Sequence, residues 1–353
     1  MVGKVIYHVF PARMTHLSPQ LISAFYKSFN GFKQIFIIYG NESDFGKYKL
    51  LKEVKESIFY VSSKEDFGKL VTKDKHILLH SLIPDICIYT FFHFYKNVSV
   101  VCWGSGIKLA SFKNYIRYPF KFLLYHSFKQ MITLMEPDKI YLQDKYFLRN
   151  IINQPYIGER EYELDKYIEN RSLDKNAKSL KVVYIGNNST CINSYLDLAE
   201  NAISQHKNAI NIQFMFNYDY CVDSPLVIKL KSICDLNFPT YSFNTELYNL
   251  SDYAGYIDKC DIYVCGEERQ TGLAAIYTAL RLGKKLYLNG NNYDWITSLG
   301  CIVHHTREIA NISSDVFLSE DSESSIDHNR KIIERFESIE MKEVAWNKIL
   351  SLI

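Results

Sequence analysis

No stretch of this sequence holds about 18 uninterrupted apolar residues, which excludes a conventional membrane-spanning helix. Charge of one sign is not in excess either. The 41 Lys and Arg and 39 Asp and Glu leave a net charge of +2, without the basic surplus that duplex binding usually demands. The 8 cysteines form no Cys-x-x-Cys pair, and several fall inside apolar, strand-like runs. They read as small buried hydrophobes in a reducing compartment, not as disulfides or zinc ligands. No G-x-x-x-x-G-K-[ST] occurs, and no G-x-G-x-x-G follows a strand, so P-loop and dinucleotide chemistry lack their phosphate cradles. No Asp-x-Asp pair sits at a strand end to hold a divalent metal. Short repeats and low-complexity tracts are absent. Residues 1–10 read as a strand, without the apolar core and cleavage site of a signal peptide.

What is present is an alternation of strands and helices. At 353 residues and 47% hydrophobic composition the chain suits two domain cores better than one. Strands are expected at 4–10, 34–39, 57–61, 76–80, 98–103 and 139–142, with helices at 19–30, 43–56, 64–72 and 84–95 between them. A polar stretch over 158–179 follows, without a long apolar run. The pattern then restarts, with strands at 181–185, 211–216, 261–265, 285–288 and 301–304. The accompanying helices are expected at 192–206, 225–236, 246–259, 271–282 and 294–299, and one or two more over 324–353. Short strands alternating with helices mark a parallel, doubly wound sheet. The expected class is therefore α/β, with two Rossmann-like domains whose parallel sheets face a central cleft. The expected divisions are an N-terminal Rossmann-like domain over 1–160, a linker over 161–179, a C-terminal Rossmann-like domain over 180–320 and a helical tail over 321–353.

Several strand ends carry chemistry. Val182-Val183-Tyr184-Ile185 runs into Gly186-Asn187-Asn188-Ser189-Thr190 and then a helix. Glycine permits close backbone approach, and a helix start offers amides to an anion. The same Ser189 or Thr190 also suits simple helix capping. Cys260–Cys265 leads into Gly266-Glu267-Glu268-Arg269-Gln270-Thr271-Gly272, where an Arg beside a helix start can hold a diphosphate without a metal. A solvated Glu–Arg loop is the plainer alternative. Leu288-Asn289-Gly290-Asn291-Asn292, with Tyr293 and Trp295, suits a base or sugar, or ordinary turn chemistry. In the first half, His8, His16, His80 and Trp103-Gly104-Ser105-Gly106 fall at or near strand ends. Histidine titrates near neutrality without tuning, so these three are candidate general bases, His16 first, then His80 and His8. Residues 115–135 combine aromatic rings with Arg117, Lys121 and Lys129. That composition suits a helix lying on a bilayer, with Pro119 near its start, or a helix packed in the core.

These stretches together resemble the fucosamine transferases of enterobacterial common antigen synthesis, which move an acetamido-dideoxygalactose from its dTDP form to a polyprenyl-linked acceptor. The resemblance is carried by Tyr184–Ser189, Tyr253 with Cys260-Asp261, Arg269–Gly272, Leu288-Asn289 with Trp295, His8-Val9, His80 and Trp103-Gly104. Where that family continues Trp-Gly-Ala-Asp, this chain has Trp103-Gly104-Ser105-Gly106. The resemblance implies a GT-B glycosyltransferase of O-antigen or common-antigen, that is lipopolysaccharide-related, synthesis. It implies an inverting, metal-independent transfer with no cofactor, at the cytoplasmic surface of the inner membrane. The nucleotide-sugar donor would be held by Gly186, Asn187, Ser189, Arg269, Gln270, Thr271, Gly272 and Asn289. The other partner would be a polyprenyl-linked saccharide, with no nucleic acid involved. A nucleotide-sugar epimerase on the same architecture and a catalytically silent nucleotide-sugar-binding protein remain alternatives.

Overall fold

The computed structural model describes residues 4–14, 17–45, 52–103, 107, 117–158, 160–171, 180–186, 192–216, 223–246 and 248–353. The chain forms two compact units, one of residues 1–159 with 338–353 and the other of 160–337.

The first unit is built on seven parallel strands: β1 (Val5–Pro11), β2 (Lys33–Tyr39), β3 (Ile58–Val61), β4 (His76–Leu79), β5 (Val98–Cys102), β6 (Gln130–Thr133) and β7 (Ile151–Asn153). Their order is β3-β2-β1-β4-β5-β6-β7. Tyr7 of β1 pairs with Ile35 on one side and Ile77 on the other. All five residues of β5 are buried, the near-continuous apolar run that a sheet covered on both faces requires. One face packs on Phe67, Ile86, Leu124, Tyr125, Leu142 and Tyr146, from the helices Lys64–Leu70, Pro84–Phe92, Tyr118–Ser127 and Glu136–Tyr146. The other face packs on Leu21, Ile22 and Phe25 of Ser18–Ser28 and on Trp346, Ile349 and Leu350 of Ile339–Leu352. That last helix is fixed by Trp346 Nε1, which donates to the Pro155 carbonyl at 2.8 Å.

Part of the expected pattern is displaced here. Residues 139–142 are helical, inside Glu136–Tyr146, and the strand lies earlier, at β6. The aromatic helix is correspondingly shorter than 115–135. It spans Tyr118–Ser127 and stops where Phe128 turns extended, and Ser127 Oγ donates to the Leu124 carbonyl at 2.6 Å. Pro137, in the first turn, then opens the next helix, a position where its missing N–H costs nothing.

The second unit repeats the winding with six parallel strands. They are β8 (Lys181–Gly186), β9 (Ile210–Met215), β10 (Thr240–Asn244), β11 (Ile262–Cys265), β12 (Lys285–Leu288) and β13 (His304–His305). Their order is β10-β9-β8-β11-β12-β13. β10 was not expected; it is an edge strand with no fully buried residue and so has no apolar run to announce it. The single helix expected over 192–206 is instead Ile192–Asp197, a π-helical turn over Leu198–Ala202 and a 3-10 turn over Ser204–Ala209. Within the polar stretch before β8, Arg160–Asn170 is a helix, whose Tyr167 hydroxyl donates to Asp258 at 3.1 Å. In each unit the strand order reverses once, between β1 and β4 and between β8 and β11. A crevice opens above the carboxyl ends of strands at such a reversal, which is where ligands bind in open α/β sheets.

Candidate functional site

The reversal in the second unit brings two polar loops together. β8 ends in Gly186, at φ 102°, in the left-handed region. The Tyr195 hydroxyl lies against it and donates to the Met215 carbonyl at 2.6 Å, so a Cβ at position 186 would collide with that ring. The Tyr263 hydroxyl donates to the Gly186 carbonyl at 2.8 Å. Only glycine fits there, and its peptide is held from both sides. Asn187 and Ser189, which follow it, lie outside the described residues.

β11 ends in Cys265 and passes into the loop 266–272, which is clamped to the start of the helix Gly290–Ser298. The fully buried Asn292 side chain makes the clamp. Its Oδ1 accepts from the Thr271 N–H at 3.3 Å, and its Nδ2 donates to the Thr271 carbonyl at 2.9 Å and lies 3.4 Å from Cys265 Sγ. Burial pushes that thiol up to about 11. Asn289 Nδ2 donates to the Gly266 carbonyl at 3.1 Å and to Glu268 Oε1 at 2.8 Å. Gly290, at φ 50°, lies so near the Glu268 backbone that any side chain would clash. Glu267 is buried and accepts from Ser194 Oγ at 2.7 Å, tying the loop to the helix after β8. Both acidic side chains therefore have donors of their own.

What the loop presents is a set of groups suited to a polar ligand. Gly272 is left-handed, at φ 63°, and begins the helix Leu273–Arg281 with no side chain capping its first turn. Arg269 is half-buried beside it. Thr271 is 6% exposed, and its Oγ1 makes no hydrogen bond within the protein; the buried Gln270 Oε1 makes none either. A buried polar atom without a partner costs about 1–3 kcal/mol, and two on consecutive residues, beside Arg269 and a helix start, make this loop the candidate place for a ligand. A hydroxyl, an Arg and a helix start suit phosphate oxygens, and an amide oxygen suits a ligand hydroxyl. Arg269, Gln270, Thr271, Gly272 and Asn289 thus come together at one strand end with Gly186 on the adjacent strand.

The reversal in the first unit is finished differently. His8 Nδ1 lies 3.0 Å from His80 Nε2, and His80 Nδ1 lies 3.0 Å from the Tyr156 hydroxyl. Phe10 stacks on His80 with centroids 3.9 Å apart, and Phe25 meets both imidazoles near 5.2 Å. Trp103 Nε1 donates to the His80 carbonyl at 2.7 Å. Both rings are buried, and desolvation dominates: His8 is lowered to about 3, and His80 falls well below the usual range, with His8 adding to the effect. Neutral imidazoles can share a single proton between them, one donating and the other accepting. His16 and Gly104–Gly106 lie outside the described residues.

Asn292, Glu267, Ser194, Tyr195 and Tyr156 hold these two ends, and sequence reasoning did not single them out. Only Asn292 and Glu267 had a signal, their places in the amide-rich run after β12 and in the Arg-bearing loop after β11. Among the described residues no three His, Cys, Asp or Glu side chains converge as a metal site would require, and no helix is long and apolar enough to cross a membrane.

No protein-family model and no curated protein sequence matches the chain. Solved structures do. A glycosyltransferase from Rickettsia africae aligns with a TM-score of 0.67 at 13% identity, over 99% of this chain and 98% of its own. Anabaena HepE, solved with UDP and glucose, aligns with a TM-score of 0.68 at 10% identity, over 99% and 100%. S. aureus MnaA, solved with UDP, gives 0.57 at 11%, over 99% and 98%. At such identities the likeness is one of fold. It agrees with two Rossmann-like, parallel-sheet α/β domains of the GT-B type.

Proposed function

We propose that the protein is a glycosyltransferase that takes its sugar from a nucleoside diphosphate donor bound at the β8/β11 reversal. The observation that carries this reading is the pair of buried, unsatisfied oxygens, Thr271 Oγ1 and Gln270 Oε1, beside Arg269 at a helix start. The described neighbours that hold UDP, HepE with glucose besides, share the fold and support the donor class.

In the reaction an acceptor hydroxyl oxygen attacks the anomeric carbon as its bond to the diphosphate breaks. The bonding electrons pass to the leaving phosphate oxygen, and the hydroxyl proton passes to a base. Arg269 and the amides at the start of Leu273–Arg281 stabilise the charge that develops on the diphosphate, which they meet most strongly in the transition state. These residues supply that stabilisation themselves, so the transfer is metal-independent in this reading. His16 heads the candidates for the base, ahead of His80 and His8, whose rings would have to be uncovered to meet a hydroxyl. The resemblance to the fucosamine transferases supports the finer reading. The sugar is then an acetamido-dideoxyhexose, and the acceptor a polyprenyl-linked saccharide of surface-polysaccharide assembly, met at the cytoplasmic face of the inner membrane.

The test is to incubate the protein with dTDP- and UDP-sugars and follow nucleoside diphosphate release, with and without a lipid-linked acceptor and with and without a chelator. Acceptor-dependent release that survives the chelator is the expected result. A changed sugar without release means an epimerase, and binding with neither means a silent partner; either outcome overturns the reading.

A further inference from the structure

Two helices of the first unit end on a phenylalanine where glycine is the usual choice. Pro84–Phe92 closes with the Phe94 N–H donating to the Phe91 carbonyl at 3.2 Å and the Tyr95 N–H to the Thr90 carbonyl at 3.0 Å. That is the left-handed Schellman ending, and Phe94 sits at its special position with φ 59°. Glu136–Tyr146 ends on Phe147, at φ 53°, whose N–H donates to the Gln143 carbonyl at 2.9 Å. A side chain at positive φ is strained, and an aromatic ring in water gains nothing to offset it. Yet Phe94 is 78% exposed and Phe147 is 71% exposed. These are the only non-glycine residues with positive φ among those described.

The two rings stand at the same end of the first unit's sheet. Their helices and Tyr118–Ser127 cover the same face of the sheet and lead into β5, β6 and β7, which are neighbours. Phe94 and Phe147 each lie four residues before a strand, so both stand at the amino ends of the strands, opposite the crevice above β1 and β4. The surface between them continues apolar. Phe92 is exposed and stacks on Phe120 with centroids 6.2 Å apart, and Leu123 is exposed on the middle helix.

Charge in the stretch of chain that links these helices is one-sided, with exposed Asp144 lying outside it three residues before Phe147. No Asp or Glu occurs between Asp85 and Glu136, a span that carries Lys96, Lys108, Lys113, Arg117, Lys121 and Lys129. Lys96 and Arg117 are exposed. Burial, and then the Arg117 charge, lowers Lys121 from the usual ammonium range, so the two cations lie close together with no acid from that span to neutralise them. Exposed rings at strained positions, beside the cations Lys96, Arg117 and Lys121, complement a bilayer of anionic headgroups over an apolar interior.

We infer that this end of the first unit docks on an anionic lipid surface, with Phe94 and Phe147 as the inserting rings and Lys96, Arg117 and Lys121 as the headgroup contacts. It deepens the lipid-linked acceptor reading by assigning residues to membrane contact, and it leaves the crevice above β1 and β4 uncovered.

The experiment is co-sedimentation of the full chain with vesicles of phosphatidylcholine alone and with roughly one third phosphatidylglycerol. These vesicles contain neither donor nor acceptor, so the result is independent of transfer chemistry. The expected result is salt-sensitive binding to the anionic vesicles only. In the double variant Phe94→Gly/Phe147→Gly, partitioning should fall on the order of tenfold or more. Glycine suits both backbone positions, so that variant should melt no lower than the parent, and loss of binding would not reflect unfolding. Arg117→Glu/Lys121→Glu should weaken anionic binding without creating binding to phosphatidylcholine. No binding by the parent, or binding indifferent to the glycine pair, overturns the proposal. So does sedimentation showing a parent dimer that the glycine pair dissociates, because that end then meets a second copy.

Discussion

The two units wind their strands in the same order and reverse at the same place, yet they finish the reversal in opposite ways. In the second unit the loop after β11 is rigidly tied down by Asn292, Asn289 and Ser194, and it leaves two buried oxygens unsatisfied. In the first unit the equivalent end is filled by His8, His80, Phe10 and Tyr156, which hydrogen-bond and stack on one another. Topology provides both crevices; what surrounds the unpaired polar atoms at each decides what it can take. The first unit's end leaves one buried ring nitrogen, His8 Nε2, among the rings of Phe25 and Phe36 and mainly supports the fold, whereas a tied loop whose unsatisfied oxygens lie beside Arg269 and a helix start is prepared for a ligand.

The largest effect that would break this comparison is at Arg269. Arg269→Ala should remove about 2–4 kcal/mol of transition-state stabilisation, roughly 30- to 1,000-fold in kcat/KM. Steady-state kinetics on a variant with an unchanged melting curve measures it. Wild-type turnover would mean that the incomplete end is not where the diphosphate sits.

The next effect belongs to the first unit and depends on pH. His8 is held neutral, with its folded value near 3 and an ordinary unfolded value near 6.5. Below 6.5 the unfolded chain takes up a proton that the folded chain refuses. The stability contributed by burying this neutral ring is therefore complete above pH 6.5 and is lost as pH falls toward 3. The loss approaches about 1.4 kcal/mol per pH unit for each such histidine, and His80, lowered by the same burial, adds to it. Thermal unfolding between pH 7 and pH 4.5 should show the decline. His8→Leu should flatten it, because that variant has one fewer group to protonate on unfolding. An unchanged slope would place the titrating groups elsewhere.

Much of the fold was legible because apolar runs are unambiguous where both sheet faces are covered. β1, β2, β8 and β12 are such runs, and they fall close to their expected places. Over 115–135 two thirds of the residues are apolar or aromatic, so periodicity could not separate the Tyr118–Ser127 helix from β6. The Glu136-Pro137 start was the available signal, and it outweighs the short apolar run at 139–142 that suggested a strand. At the site, a strand running into Gly, Arg and a helix start was readable from local order alone. The Asn292 clamp was not, since it joins residues 21 apart, and nothing local distinguishes it from turn chemistry. Nor could a histidine at a strand end declare which way its ring turns; Phe10, Phe25 and Tyr156 converge on His80 only in three dimensions.

The smallest expected effect is also the most direct test of the central claim, that the unsatisfied oxygens after β11 await a nucleoside diphosphate. Thr271→Val keeps the side-chain shape and removes the hydroxyl. Titration calorimetry with UDP and with dTDP, on the wild type and this variant, should show saturable binding by the wild type to at least one of them. The variant should bind about 1–1.5 kcal/mol more weakly, roughly five- to twelvefold in Kd, since one hydrogen bond to the ligand is lost. Its unliganded melting temperature should stay level or rise, because a buried oxygen without a partner has been removed. Equal affinity for the nucleotide in both proteins, together with a lower melting temperature in the variant, would show that Thr271 serves the fold alone and would contradict the account.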